Sequence, residues 1–219
     1  MVDVRLNAIV DPERANGRPL AEIARLAAAG GATLIQLRDK HGSTRRMIEE
    51  ARAIHAALAG TGVPLVINDR VDVAMIAGAD GVHVGQDDMH VEDARRLLGP
   101  KAIIGLSIKT VALANAVPIE LLNYVGVGGV YATSSKDNPN KPIGVDGLGA
   151  IVAAFRARKR DFPICGIAGI DATNAVPVIA AGADGVAVIS ALSMKPDPQA
   201  AARELRGIVD AALAARGKP

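Results

Sequence analysis

Two aspartates, Asp69 in "INDR" and Asp88 in "GQDD", each follow a short apolar run, and so do three cations: Arg38 and Lys40 in "QLRDK" and Lys136 in "ATSSK". If both aspartate-bearing runs are neighbouring strands, their backbones lie about 5 Å apart and the carboxylates repel. A hard divalent cation relieves that repulsion. Mg²⁺ suits the pattern, because one or two carboxylates hold it while waters and substrate phosphates complete its shell. A rim of lysine and arginine around such a pair fits a metal-bound polyphosphate better than a neutral ligand. A blander reading stands beside this one: Asp69 caps a helix beginning at Val71, Asp87 and Asp88 are turn residues, Arg38 pairs with a carboxylate, and Lys136 is merely solvated.

The stretch "LIQLRDK" sharpens the question, because strand alternation puts Gln36, Arg38 and Lys40 on one face and Ile35, Leu37 and Asp39 on the other. A second anion site is written into "CGIAGI" and "VAVISALS". There Gly166 and Gly169 permit close backbone approach, and the amides of Ile189 and Ser190 open a short helical turn. One phosphate there and a metal-bound polyphosphate across the mouth imply two phosphorylated reactants. Cys165 sits inside an apolar run with no adjacent base and reads as a small buried hydrophobe rather than a nucleophile. His83 reads as an interior hydrogen-bonding residue, and His41, His55 and His90 lack ligand spacing.

These residues need a scaffold that gathers the ends of many strands. The strings "AGADGVHV" from Ala77 and "AGADGVAV" from Ala181 are nearly identical, with a looser copy, "AAGGATLIQL", from Ala28. In each, a helix-like segment ends at glycine and runs into an apolar strand. Reading outward predicts strands near Val4–Val10, Thr33–Arg38, Pro64–Asn68, Gly81–Val84, Ala102–Leu106, Asn123–Val127, Pro163–Gly166 and Gly185–Ile189. Helical spacing predicts helices over Pro19–Ala29, Thr44–Ala59, Val71–Ala77, Val91–Leu98, Val111–Leu122, Leu148–Arg158, Asn174–Ala181 and Pro198–Ala215. Eight βα units point to a single-domain (β/α)₈ TIM barrel over residues 1–219. A doubly wound open sheet is the alternative, and the half-chain repeat favours closure. Polar residues follow the strands while small or apolar ones precede them, which places an active site at one mouth. The long polar segment "YATSSKDNPNKPIGVDG" interrupts the sixth unit and reads as a functional loop.

Composition narrows the partners. The chain has 219 residues, 50% of them hydrophobic, enough for a sizeable core. A formal net charge of +2, from 25 basic and 23 acidic residues, leaves no basic footprint for nucleic acid or an anionic membrane. The absence of Trp, with two Tyr and two Phe, argues against base-stacking platforms. The lone Cys165, the absence of signal-peptide features and the lack of a long uncharged apolar run predict a cytoplasmic protein acting on small molecules.

In order and spacing, "QLRDK", "INDR", "GVHVGQDD", "YVGVGGVYATSSK", "GIAGI" and "GADGVAVIS" resemble the motifs of the thiamine-phosphate synthase family over nearly the whole chain. The resemblance implies a (β/α)₈ barrel that joins 4-amino-2-methyl-5-hydroxymethylpyrimidine diphosphate to 4-methyl-5-(2-hydroxyethyl)thiazole phosphate, with Mg²⁺ as cofactor. It implies that Gln36, Arg38, Lys40, Asn68 and Lys136 contact the pyrimidine diphosphate and that Asp69 and Asp88 ligate Mg²⁺. It places Ser107 beside the pyrimidine and the departing diphosphate, and Thr133, Ser135, Gly169, Ile189 and Ser190 around the thiazole phosphate. Arg38, Lys40, Ser107 and Lys136 become the expected catalytic groups. The chain departs from the family pattern at Asp39, Lys109, Gly129, Ser135 and Ala168. Two other functions compete: a thiazole tautomerase of the same superfamily, which would lack the diphosphate site, and a non-catalytic thiazole-phosphate sensor.

Overall fold

The protein is described by a computed structural model covering residues 1–135 and 141–217. Its strands are β1 (Leu6–Val10), β2 (Leu34–Leu37), β3 (Leu65–Asn68), β4 (Gly81–Val84), β5 (Ile103–Ile108), β6 (Tyr124–Gly128), β7 (Ile164–Ile167) and β8 (Gly185–Val188). Its helices are α1 (Leu20–Ala29), α2 (Thr44–Ala57), α3 (Val71–Ala77), α4 (Val91–Leu98), α5 (Val111–Ala116), α6 (Gly144–Arg158), α7 (Ala175–Ala180), α8 (Ser190–Ser193) and α9 (Pro198–Ala215). The strands pair in sequence order, all parallel, and β8 returns to β1 to close the barrel. An open doubly wound sheet is thereby excluded.

Both faces of a closed parallel sheet are covered, which is why its strands read as unbroken apolar runs. Alternation then separates two cores. Ala8, Ile35, Ile67, Val82, Ile104, Val125, Ile164 and Val186 face the helices, whereas Ile9, Leu34, Val66, Tyr124, Cys165 and Ala187 fill the barrel. Because its outward neighbours must pack on helices, each strand fixes which of its residues look into the mouth.

The repeated strings have a structural meaning at the opposite end. Thr33, Asp80, Asn123 and Asp184 stand just before β2, β4, β6 and β8. Their side chains accept the backbone N–H of Leu6 (3.1 Å), Leu65 (2.8 Å), Ile104 (2.8 Å) and Ile164 (3.0 Å), near the start of the preceding strand. An N–H that the sheet leaves unpaired is satisfied at every second strand. The glycine after each repeat aspartate is equally constrained. A Cβ on Gly81 would lie 1.8 Å from the Ile103 carbonyl oxygen, and one on Gly185 would lie 1.9 Å from that of Val4.

Two helices, α5 and α6, differ from the expected bounds by more than two residues. The segment expected as one helix over Val111–Leu122 stops at Ala116, and a 3-10 turn follows over Ile119–Leu121. Pro118 has no N–H to continue the ladder and restricts the residue before it. Helix α6 begins at Gly144, ahead of Leu148. Its start is set by long-range bonds, Ile143 N–H to the Gly129 carbonyl (2.9 Å) and Gly144 N–H to that of Val130 (3.1 Å), rather than by local propensity.

Candidate active site

The strand ends converge as the alternation requires, but the cations are not waiting free. The β2 strand stops at Leu37, so Arg38 and Lys40 belong to the loop after it. Arg38 pairs with Asp11, a buried carboxylate at the end of β1, and Lys40 pairs with Asp69 at the end of β3. Asp11 is doubly engaged, since its other oxygen accepts the Glu13 N–H at 2.9 Å and opens a 3-10 turn over Pro12–Arg14. It therefore sets the direction of the Arg38 guanidinium. Asp11 is missing from the sequence-derived set although it ends the β1 run as Asp69 ends β3.

Asp69 occupies the left-handed region, with φ of 64°, and its N–H bonds to the His83 carbonyl at 2.8 Å. The alternative that it caps α3 fails: Arg70 holds the cap position, and no side chain makes a capping bond there. Burial raises the Asp69 pKa above the ordinary carboxylate value; Lys40 opposes this, and the adjacent Asp88 carboxyl adds to it. Asp88 is held by the Gly85 N–H at 2.7 Å. Two carboxyls crowded together, one with its charged form disfavoured, form a donor set that a hard cation would stabilise. No cluster of three or more such ligands occurs among the described residues, so substrate and water would have to complete the shell.

Deeper in the barrel, Gln36 does not join the cations but turns to Tyr124, which is completely buried. His83 bridges Tyr124 and Ser107, with Nδ1 2.9 Å from Tyr124 Oη and Nε2 3.0 Å from Ser107 Oγ. The expectation of an interior hydrogen-bonding histidine holds. Asn68 pairs in register with His83 and lies level with it at the mouth. Gln86 donates to the Ser107 carbonyl at 2.8 Å and ties the loop after β4 to the end of β5.

Across the mouth, the ends of β6, β7 and β8 enclose a cavity of about 310 Å³. Thr133, Ser135, Gly169, Ile189 and Ser190, the expected thiazole-phosphate set, all line it. Ser135 Oγ and Ser190 Oγ meet at 2.9 Å, and Thr133 Oγ1 accepts the Ser135 N–H at 3.1 Å. A Cβ on Gly169 would sit 2.3 Å from the Ala132 carbonyl oxygen, so a bare backbone is required there. Gly166 is different: a Cβ there would strike Val178 in the outer core, so its role is strand-to-helix packing and not ligand approach. Lys195, exposed after α8, also lines the cavity and supplies a cation that no motif had flagged. Lys136 lies outside the described residues. Cys165 is buried and its thiol is pushed up to about 12 by burial, which keeps it an inert interior side chain.

Among the departures from the family pattern, Asp39 accepts the His41 and Gly42 N–H groups at 3.0 and 2.7 Å and holds the β2 loop. Ala168 takes φ of 85°, a value where glycine is at ease. Ser135 keeps the hydroxyl that meets Ser190. Lys109 is exposed beside Thr110, whose hydroxyl caps α5 through the Leu113 N–H.

A closed (β/α)₈ barrel that gathers paired carboxyls, two cations and a hydroxyl-lined cavity on its strand C-termini is a barrel enzyme for small molecules. Sequence comparison gives the particular kind. Residues 6–192 match the family model described as thiamine monophosphate synthase. Among similar proteins, the thiamine-phosphate synthase of Agrobacterium fabrum is 54% identical, covering 98% of both chains. That of Moorella thermoacetica is 45% identical, over 97% of this chain and 98% of its own. The solved structure of thiamine phosphate pyrophosphorylase from Pyrococcus furiosus superposes with a TM-score of 0.83 at 35% identity, covering 97% of this chain and 98% of the other. The chain belongs to the thiamine monophosphate synthase family. No helix among the described residues is long and apolar enough to cross a membrane.

Proposed function

We propose that the barrel mouth divides thiamine-phosphate synthesis between two neighbouring subsites. The transferase activity belongs to the family. What is inferred for this chain is the division of labour: the pyrimidine diphosphate lies over β2 to β5, the thiazole phosphate lies in the cavity over β6 to β8, and Asp69 and Asp88 would hold Mg²⁺. The observation that carries the reading is the crowding of Asp69 against Asp88 with Lys40 alongside, beside a separate hydroxyl-lined cavity. Mg²⁺ bound there would supply positive charge to the diphosphate oxygens.

The chemistry asked of the chain is then modest. The bond between the pyrimidinylmethyl carbon and the diphosphate oxygen breaks, and its electron pair leaves with pyrophosphate. The thiazole nitrogen lone pair forms the new carbon–nitrogen bond, giving thiamine phosphate. Arg38, Lys40 and Lys136 would meet charge developing on the leaving oxygen, and Ser107 would donate to it. Gln36 and Asn68 would line the pyrimidine, while Thr133, Ser135, Ser190 and the Gly169 and Ile189 backbone would hold the thiazole phosphate. The thiazole nitrogen is already nucleophilic, so no side chain needs to act as base. Alignment of the two reactants and exclusion of water from the reacting carbon supply the rest. A thiazole tautomerase would have no use for the Arg38, Lys40, Asp69 and Asp88 cluster. The single thiol, buried, agrees with a reducing cytoplasm.

The test is to incubate the protein with both substrates, with and without Mg²⁺, and to follow thiamine phosphate by mass. Product that depends on metal is expected. Asp88→Ala should abolish metal-dependent turnover while leaving thiazole-phosphate binding nearly intact. Equal loss of both would show that the two subsites are not separate.

A further inference from the structure

The barrel interior contains a chain of polar groups of which the reaction scheme above uses the Ser107 end and leaves Tyr124 and His83 without a role. It runs from Tyr124 Oη to His83 Nδ1 at 2.9 Å and from His83 Nε2 to Ser107 Oγ at 3.0 Å, with the buried Gln36 next to Tyr124 at its inner end. Gln36, Tyr124 and His83 are buried, and Ser107 is the member closest to solvent. Space for the chain is provided deliberately by two glycines. A Cβ on Gly105 would lie 2.2 Å from Tyr124 Cζ and 2.6 Å from His83 Nδ1, and one on Gly126 would lie 3.2 Å from His83 Cε1. A phenol, an imidazole and a hydroxyl in series can carry their protons in one of two directions, because each hydroxyl and a neutral imidazole has one proton to give.

In the inward direction, Ser107 gives its proton to His83, His83 Nδ1 gives its own to Tyr124, and Tyr124 donates to the Gln36 carbonyl. Ser107 then shows the mouth only lone pairs. In the outward direction, the Gln36 amide donates to Tyr124, Tyr124 donates to His83 Nδ1, and His83 Nε2–H donates to Ser107, whose own proton must point at the mouth. The mouth chooses the outward direction, because an acceptor-only diphosphate would lie there and would be repelled by a lone pair.

We propose that Tyr124 and His83 are positioning residues that hold the Ser107 hydroxyl as a proton donor aimed at the diphosphate leaving group. This rests on the diphosphate assignment above. His83 acts as a neutral ring in the Nε2–H tautomer, and neither it nor Tyr124 touches substrate. Its role is to fix a hydroxyl rotor that would otherwise have to be oriented during the reaction.

The direction can be read without turnover. With ¹⁵N-labelled histidine at about pH 8, above the ordinary histidine range, the free protein should show His83 protonated at Nε2 with an accepting Nδ1. An Nδ1–H tautomer would overturn the proposal. In kinetics, Tyr124→Phe should lower kcat by about tenfold, the worth of one hydrogen bond, with both KM values little changed. In a Ser107→Ala background, Tyr124→Phe should cost almost nothing further, because the chain then has nothing to aim. Fully additive losses, or a loss confined to KM, would mean that Tyr124 only fills space. His83→Gln, which keeps an N–H near the Nε2 position, should retain more kcat than His83→Leu, and this comparison stands even if Tyr124→Phe folds poorly. If the wild type makes no thiamine phosphate yet shows the Nε2–H ring, the functional reading fails while the hydrogen-bond direction is upheld.

Discussion

Asp69 shows how one residue is tuned by its surroundings. Burial first, and then the nearby Asp88, hold its pKa above the ordinary value, with Lys40 opposing. A carboxyl whose folded-state pKa exceeds its unfolded one binds its proton more tightly when folded. The stability it contributes is complete below the unfolded value, about 4, and is lost as pH rises through the higher folded value. Metal-free Asp69→Asn should therefore be more stable than wild type at neutral pH, and the gain should fade on acidification through the carboxylate range. Asparagine tolerates the left-handed backbone at this position. Saturating Mg²⁺ should stabilise the wild type and not the variant. Melting curves of both proteins across pH, with and without metal, check this; an Asp69→Asn protein less stable at neutral pH without metal would contradict it. Asp3, Asp72 and Asp171 shift the other way, so only the difference between the two proteins isolates Asp69.

The elements were largely legible because strand and helix periods differ and because glycines punctuate them; β4, α3, α4 and α9 match the sequence reading at both ends. What escaped it was set by contacts distant in sequence. Helix α6 starts within a glycine-containing stretch because Gly129 and Val130 hold its first turn; the early end of α5 is the local exception, set by Pro118. Of the site, Asp69, Asp88, Arg38 and Lys40 could be read from their positions after strands, and the Thr133, Ser135 and Ser190 cluster followed from the resemblance to the family. Asp11 as the partner of Arg38, Lys195 at the cavity edge, and the Tyr124–His83–Ser107 chain could not be read, because each depends on which strands become neighbours. Strands β4, β5 and β6 meet through that chain, and Gly105 is its tightest point. Gly105→Ala should destabilise the barrel by about 1–3 kcal/mol, since the added carbon must displace two buried rings. Gly126→Ala, with 3.2 Å to His83, should cost less. Thermal or denaturant unfolding of the two variants provides the comparison, and equal stability would show that the ring pair shifts freely.

At the scale of the whole molecule, the barrel separates its two ends, with substrate chemistry at the strand C-termini and closure at the N-termini. The closing end is held by the repeat aspartates. Asp184 accepts the Ile164 N–H and is gripped by Arg156 from α6 (2.7 Å) and by Arg216 following α9 (3.2 Å). This joins the last helix to the seventh and eighth strands, so the C-terminal part of the chain locks the ring that its N-terminal strand completes. Arg156 and Arg216 are mostly buried, with side chains 23% and 24% exposed, so removing their shared carboxylate leaves two poorly solvated cations facing each other. Asp184→Ala should lose about 3–5 kcal/mol, the typical cost of breaking a buried pair from one side. For a chain of this length that is a fall in Tm of roughly 6–20 °C. Yet kcat measured well below the melting transition should be unchanged, because the Ile164 N–H, Arg156 and Arg216 that Asp184 engages belong to the closing end and not to the mouth. A variant that melts normally but turns over slowly would reverse the assignment and place the closing end of the barrel in communication with its active end.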